Sequence, residues 1–209
     1  MLAEVTMATI LRSRHLPLGL TLVEVMISVA VLAILIAVAV PSMLDLLERR
    51  RVIATANEVM GVLNYAKAET NATNTLLTVR FDPDPETDPS KALSCVAVTT
   101  TVAANAACKC YLPEATLCQG LFAPRLLRLF RLPRSSVKFD ASAPGGWGGS
   151  NMDYQIKFAR AQGGIDAQGF QVDVVGVKRG HALRVAVNTA GRVVVCAPNG
   201  DFSGYAKCS

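Results

Sequence analysis

The run Leu20–Val40, LTLVEVMISVAVLAILIAVAV, constrains this chain more than any other feature, because it is about 21 residues long and carries one charge, Glu24. As a helix rising about 1.5 Å per residue it spans roughly 30 Å, the thickness of a bilayer core. Arg12, Arg14 and His15 stand just before it. Basic residues stay on the cytoplasmic side of a span, which places everything after Pro41 outside. A secretory signal peptide has an apolar core of only about 7 to 15 residues, closed by small residues at a cut. This run is longer, and Pro41-Ser42 leads into more helix-compatible sequence. A plain single-span anchor is the other alternative. Glu24 speaks against it, since a carboxylate in hydrocarbon is costly unless neutralised or paired and so needs a reason.

Beyond Pro41, apolar Val52, Ala56, Val59, Leu63 and Ala66 recur at three- and four-residue steps, with Met60 beside them. That is one helical stripe. Glu48, Arg49, Arg50, Arg51, Asn57, Glu58 and Lys67 read as mostly off it. The expectation is a continuous helix from Leu20 to about Thr70, bent at Pro41 and loosened at Gly61. Its outer half packs by the stripe onto a head. Arg49, Arg50 and Arg51 face phospholipid headgroups, neighbouring subunits or simply water.

After Asn74 the period changes from 3.6 to 2. Leu77, Val79 and Phe81 alternate with polar neighbours, as do Tyr154, Ile156 and Phe158. Phe170, Val172 and Val174 follow the same rule, then Leu183, Val185 and Val187, with a short strand at Arg192–Cys196. Strands of this length between turn residues predict antiparallel sheets. The turns are Asp82-Pro83-Asp84-Pro85-Glu86, Ala143–Gly149 and Gly163–Asp166. The fold class expected is α+β, divided into a leader 1–19, a helix 20–72 (span 20–40, amphipathic part 41–72) and a β-rich head 73–209.

Six cysteines follow the span: Cys95, Cys108, Cys110, Cys118, Cys196 and Cys208. An even number outside the cytoplasm reads as a disulfide framework, with about fifteen connectivities open. Cys196 and Cys208 flank Asn199-Gly200, a tight-turn signal that lets their ends meet. Closing that loop is worth about 3 kcal/mol in the chain-entropy picture. Cys108-Lys109-Cys110 is too tight for a mutual bridge, so each pairs outward and the middle four remain open. Zinc is the alternative for these four, but the paired C-x-x-C spacing is missing.

The stretch Gly19-Leu20-Thr21-Leu22-Val23-Glu24 resembles the processing site of type IV prepilins and type II secretion pseudopilins. That resemblance implies cleavage by a prepilin peptidase between Gly19 and Leu20, then N-methylation of Leu20. Leu20 stands where the family usually has Phe. It also implies that Glu24 pairs with the cationic amino terminus of a neighbouring subunit, and that Pro41 matches a family proline. Leu63-Asn64-Tyr65-Ala66-Lys67-Ala68-Glu69 running into Leu76-Leu77-Thr78-Val79, and the ending Asn188–Cys196, resemble the FimT/FimU and GspH group. The group's fold is a type IV pilin-like helix packed on a two-sheet head. The role implied is a minor pilin of the inner membrane that enters a pilus and acts in its assembly, with major and minor pilins, the peptidase and inner-membrane lipid as partners. A GspH-like secretion pseudopilin is the alternative role, and a Cys196–Cys208 bridge matches the carboxy-terminal bridge common in pilins.

Double-stranded DNA is the partner in a further alternative, natural transformation. The net charge is +5, and from Leu121 to Ser209 twelve Lys or Arg stand against five Asp or Glu. In the FimT group DNA uptake goes with a Gly-Arg-x-Arg motif near the carboxy terminus. Gly191-Arg192 matches it, Val194 replaces the second arginine, and Lys178, Arg179 and Arg184 supply further charge. Arg125, Arg128, Arg131 and Arg134, one every three residues, read as a phosphate or anionic-lipid contact or, more plainly, as an amphipathic turn with its arginines in water. Asp82, Asp84, Glu86 and Asp88 are spaced for calcium or for a solvated turn. His181 is the one histidine after the leader, and no Gly-x-Ser-x-Gly or Walker-type loop occurs. The reading is therefore not an enzyme, with no cofactor and no resident metal.

Overall fold

A computed structural model describes residues 21–83, 93–100, 108, 112–118, 124–133, 135–142, 155–158, 165, 169–200 and 202–208. Gly19, Leu20, Asp84, Glu86, Asp88, Cys110, Arg134 and Tyr154 lie outside these residues. The chain divides into two compact units, Met1–Ser42 and Met43–Ser209.

Helix α1 runs over Leu22–Thr73, without interruption at Pro41 or Gly61. In the first unit its apolar side chains are exposed, among them Leu22, Met26, Ile34 and Val38. Among the described residues it is the one helix long and apolar enough to cross a membrane. Asn74, in left-handed conformation at φ 51°, ends it. Asparagine tolerates that geometry better than most residues, and the chain then turns out of the helix.

In the second unit the stripe is buried as expected: Val52, Ala56, Val59, Leu63 and Ala66 are all at 0% exposure. They join one core with two antiparallel sheets. The strands are β1 (Leu77–Pro83), β2 (Leu93–Thr100), β3 (Leu126–Pro133), β4 (Val137–Ser142), β5 (Gln155–Phe158), β6 (Phe170–Gly176), β7 (Ala182–Val187) and β8 (Val193–Cys196). One sheet has the order β3-β2-β1-β5, the other β4-β6-β7-β8. Phe81 of β1 meets Phe139 of β4 edge-on at 5.8 Å and stacks on Phe170 of β6 at 5.6 Å, so aromatic contacts join the sheets.

The period-2 residues behave as their pattern predicts. Leu77, Val79, Phe81, Ile156, Phe158, Phe170, Val172, Val174, Leu183, Val185 and Val187 are buried. Strands β2, β3 and β4 were not legible as strands. β2 hides because it is buried on both faces, from Ser94 to Thr99. Val96 and Val98 enter the main core, while Cys95 and Ala97 pack against Leu126 and Leu129 on the other side. Such a strand shows no alternation.

The segment with an arginine at every third position is not an amphipathic turn; it is strand β3. Its pairing shifts between Val98 and Thr99, so Leu127 is an extra residue opposite β2. A bulge of this kind re-aims the side chains beside it. Arg128, opposite the core-facing Val98, reaches α1, where it pairs with Glu58 at 3.0 Å and lies 5.6 Å over the Tyr65 ring. Arg131 donates to the Leu112 carbonyl.

Thr70 is fully buried on α1, and its hydroxyl has no hydrogen-bond partner among the described residues. A buried unpaired hydroxyl costs about 1–3 kcal/mol. Thr70→Val keeps the shape and removes the polar atom, so it should raise stability by about 1 kcal/mol in denaturant unfolding of the detergent-solubilised chain.

Candidate functional site

The start of α1 is a capping box. The Thr21 amide and hydroxyl each donate to Glu24 Oε2 at 3.0 Å, and the Glu24 amide donates to Thr21 Oγ1 at 3.3 Å. Thr-x-x-Glu at this spacing satisfies amides that the first helical turn leaves unpaired. The carboxylate at the head of the apolar run is thus held against its own first turn. Pro41 sits inside the helix without an amide to give to the carbonyl four residues back, and Ser42 Oγ donates to the Ala39 carbonyl at 2.9 Å.

A second cluster ties α1 to the turn between β6 and β7. Glu48 is buried, contrary to its reading as an off-stripe residue. Its carboxylate accepts from the backbone amides of Lys178 at 3.2 Å and Arg179 at 2.8 Å. Gly176 has no room for a side chain there, because a Cβ would lie 2.7 Å from Glu48 Cδ and 2.8 Å from Cγ. One turn earlier Asp45 meets three basic side chains: His181 Nε2 at 2.8 Å, Arg49 Nε at 3.0 Å and Arg179 Nη1 at 3.6 Å. Counting back from Val52 in steps of four and three reaches Glu48 and Asp45. That extension of the stripe was the available signal that these acids face the head.

The carboxy-terminal disulfide completes the cluster. Cys196 is bonded to Cys208, and the Ala197 and Ala206 backbones pair at 2.8 Å inside the loop. Gly200 takes φ 74°, which a turn here requires. The loop buries Phe202, whose ring stands edge-on to His181 at 5.9 Å and to Tyr205 at 6.3 Å, with the Arg49 guanidinium 5.9 Å from its centroid. A second disulfide joins Cys108 and Cys118. Cys95 is also disulfide-bonded. Among the described residues no group of three or more His, Cys, Asp or Glu is arranged to hold a metal.

The five residues read as a DNA contact do not come together. Arg184 forks onto Asp173 directly across the β6–β7 ladder, at 2.6 and 2.7 Å. Arg179 is held by Asp45, and the Lys178 and Arg179 backbones by Glu48. Gly191 (φ 68°) and Arg192 form the turn at the far end of β7, where Asn188 Oδ1 accepts the Arg192 amide at 2.8 Å. Lys67 Nζ donates to the Ala190 carbonyl of that turn at 3.3 Å. The two basic turns are separated by the length of a six-residue strand, about 20 Å.

Among solved structures, the chain matches the minor pseudopilin EpsH of the Vibrio cholerae type 2 secretion system, at 12% identity over 69% of this chain and 95% of that one, with a TM-score of 0.43. It also matches the type IV minor pilin FimU of Pseudomonas aeruginosa, at 15% identity over 71% of this chain and 90% of that one, with a TM-score of 0.45. No protein-family model matches the chain. No curated protein sequence matches it.

The hydrogen bond from His181, helped by Arg49, holds the Asp45 carboxyl below its usual range. A group with a depressed folded pKa contributes stability that is fully present above its unfolded value, about 4, and lost as pH falls through the folded value. Unfolding of the solubilised chain should therefore become easier as the pH falls below about 4. Asp45→Asn should flatten that part of the profile; an unchanged acid limb in the variant would show that Asp45 does not hold the clasp.

Proposed function

We propose that this chain is a prepilin of the minor-pilin type. Prepilin peptidase removes residues 1–19 between Gly19 and Leu20, and Leu20 becomes the N-methylated first residue. Residues 20–40 hold the subunit in the inner membrane, 41–72 carry the helix into the head, and 73–209 form the head on the periplasmic side. The subunit then leaves the bilayer for a filament, beside other major and minor pilins, and acts in assembly.

The observation that carries this reading is one carboxylate, Glu24, on the otherwise uncharged stretch of α1 before Asp45, where the apolar side chains are exposed. Such a surface needs lipid or other helices around it. Glu24 is already aligned at the helix start by Thr21. The new amino group at Leu20 of a neighbour would supply its counter-ion, compensating a charge that is costly alone. Whether the filament is a pilus or a secretion pseudopilus depends on the machine that receives the subunit. DNA capture is not part of the proposal, because Arg179 and Arg184 are engaged with acids and the Arg192 turn lies apart from them.

Two measurements test it. Intact mass of the membrane-bound chain, co-expressed with the peptidase, should correspond to a start at Leu20, and a Gly19→Leu variant should keep its leader; normal trimming of that variant rules out this cleavage site. Glu24→Val should remain membrane-bound after alkaline carbonate and fall by roughly tenfold in sheared filaments. Undiminished incorporation would refute the assembly role of Glu24.

A further inference from the structure

The side chains of Arg50, Arg51 and Lys178 are exposed and, among the described residues, take part in no ion pair. The acids at this level are engaged. Asp45 is shared by His181, Arg49 and Arg179, and Glu48 is turned onto the Lys178 and Arg179 amides. Glu48 thereby brings the β6–β7 turn to the same level of α1 as its three arginines. Successive helical residues turn by about 100°, so Arg49, Arg50 and Arg51 fan over much of the circumference. The result is a collar of positive charge around one helical turn.

We propose that this collar, through Arg50, Arg51 and Lys178, binds the anionic phospholipid headgroups of the membrane leaflet from which the head emerges. The proposal rests on the membrane reading of residues 20–40. Arg49 follows Val40 by nine residues, about 14 Å of helix, and helical side chains lean toward the amino terminus, back toward the span. Long basic side chains reach over such distances to keep their charge at the interface. The geometry also favours a lipid surface over a nucleic acid. A collar around a helix meets a plane on several sides at once, whereas a linear polyanion touches only one side. Arginine forks match phosphate oxygens, and basic groups near an anionic surface are each worth roughly fivefold in binding. The collar would hold the head at the bilayer until the subunit is withdrawn.

The test uses the full-length chain in detergent, with lipid adducts counted by native mass spectrometry. Phosphatidylglycerol should be retained over phosphatidylcholine by about tenfold or more. Arg50→Gln/Arg51→Gln/Lys178→Gln should abolish that preference. A control triple of equal charge loss at exposed sites elsewhere, Arg125→Gln/Lys138→Gln/Lys207→Gln, should keep it. Equal retention of both lipids by the wild type, or equal loss in both triples, overturns the proposal. A duplex-DNA shift that depends on the collar residues, with no lipid preference, overturns it in favour of a nucleic-acid surface. Wild-type chain that stays in carbonate-washed membranes but shows no preference defeats the collar alone, whereas chain released by carbonate defeats the membrane reading itself.

Discussion

Burial of one helical stripe organises the head. Val52, Ala56, Val59, Leu63 and Ala66 have no water contact, and they share a core with residues from both sheets. Neither four-stranded sheet could leave Leu77, Val79, Phe81 or Val172, Val174, Val185 facing solvent. The helix covers these faces, and Phe81 fixes one sheet against the other through Phe139 and Phe170. From the same core-facing side β3 sends Arg128, opposite Val98, to Glu58 and Tyr65 of the helix.

Two glutamates of α1 are satisfied in the same way for different ends. Glu24 takes the amide and hydroxyl of Thr21 at the helix start, and Glu48 takes two amides of the β6–β7 turn. Backbone amides are suitable partners where a cation is absent, because charge-assisted hydrogen bonds offset much of the loss of hydration. Glu24 remains exposed at the start of an apolar helix, open to a second partner. Glu48 is enclosed, so its work is structural: it holds the turn that carries Lys178 and Arg179. Asp45, Arg49, His181 and the disulfide-closed loop around Phe202 reinforce the same junction.

The sequence by itself determined the elements whose burial is one-sided. A helix with one apolar stripe and strands with one apolar face announce themselves by periods of 3.6 and 2, as in Val52–Ala66 and Phe170–Val187. It also pointed to the exposed apolar run and to Glu24 within it, because a charge in such a run stands out against uniform neighbours. The tertiary structure alone decided what depends on two faces or on distant chain. β2 has no period, since Ser94 to Thr99 are enclosed on both sides. In β3 the arginine spacing of three matches neither face, because the bulge at Leu127 puts Leu126 and Leu129 on one side while Arg128 and Arg131, opposite Val98 and Cys95, fall on different sides. Asp45 and Glu48 look like surface acids until the turn at 177–180, about 130 residues later, arrives as their partner. Local chemistry sets which way a segment can bury itself; only the folded chain sets which distant groups a charge will meet.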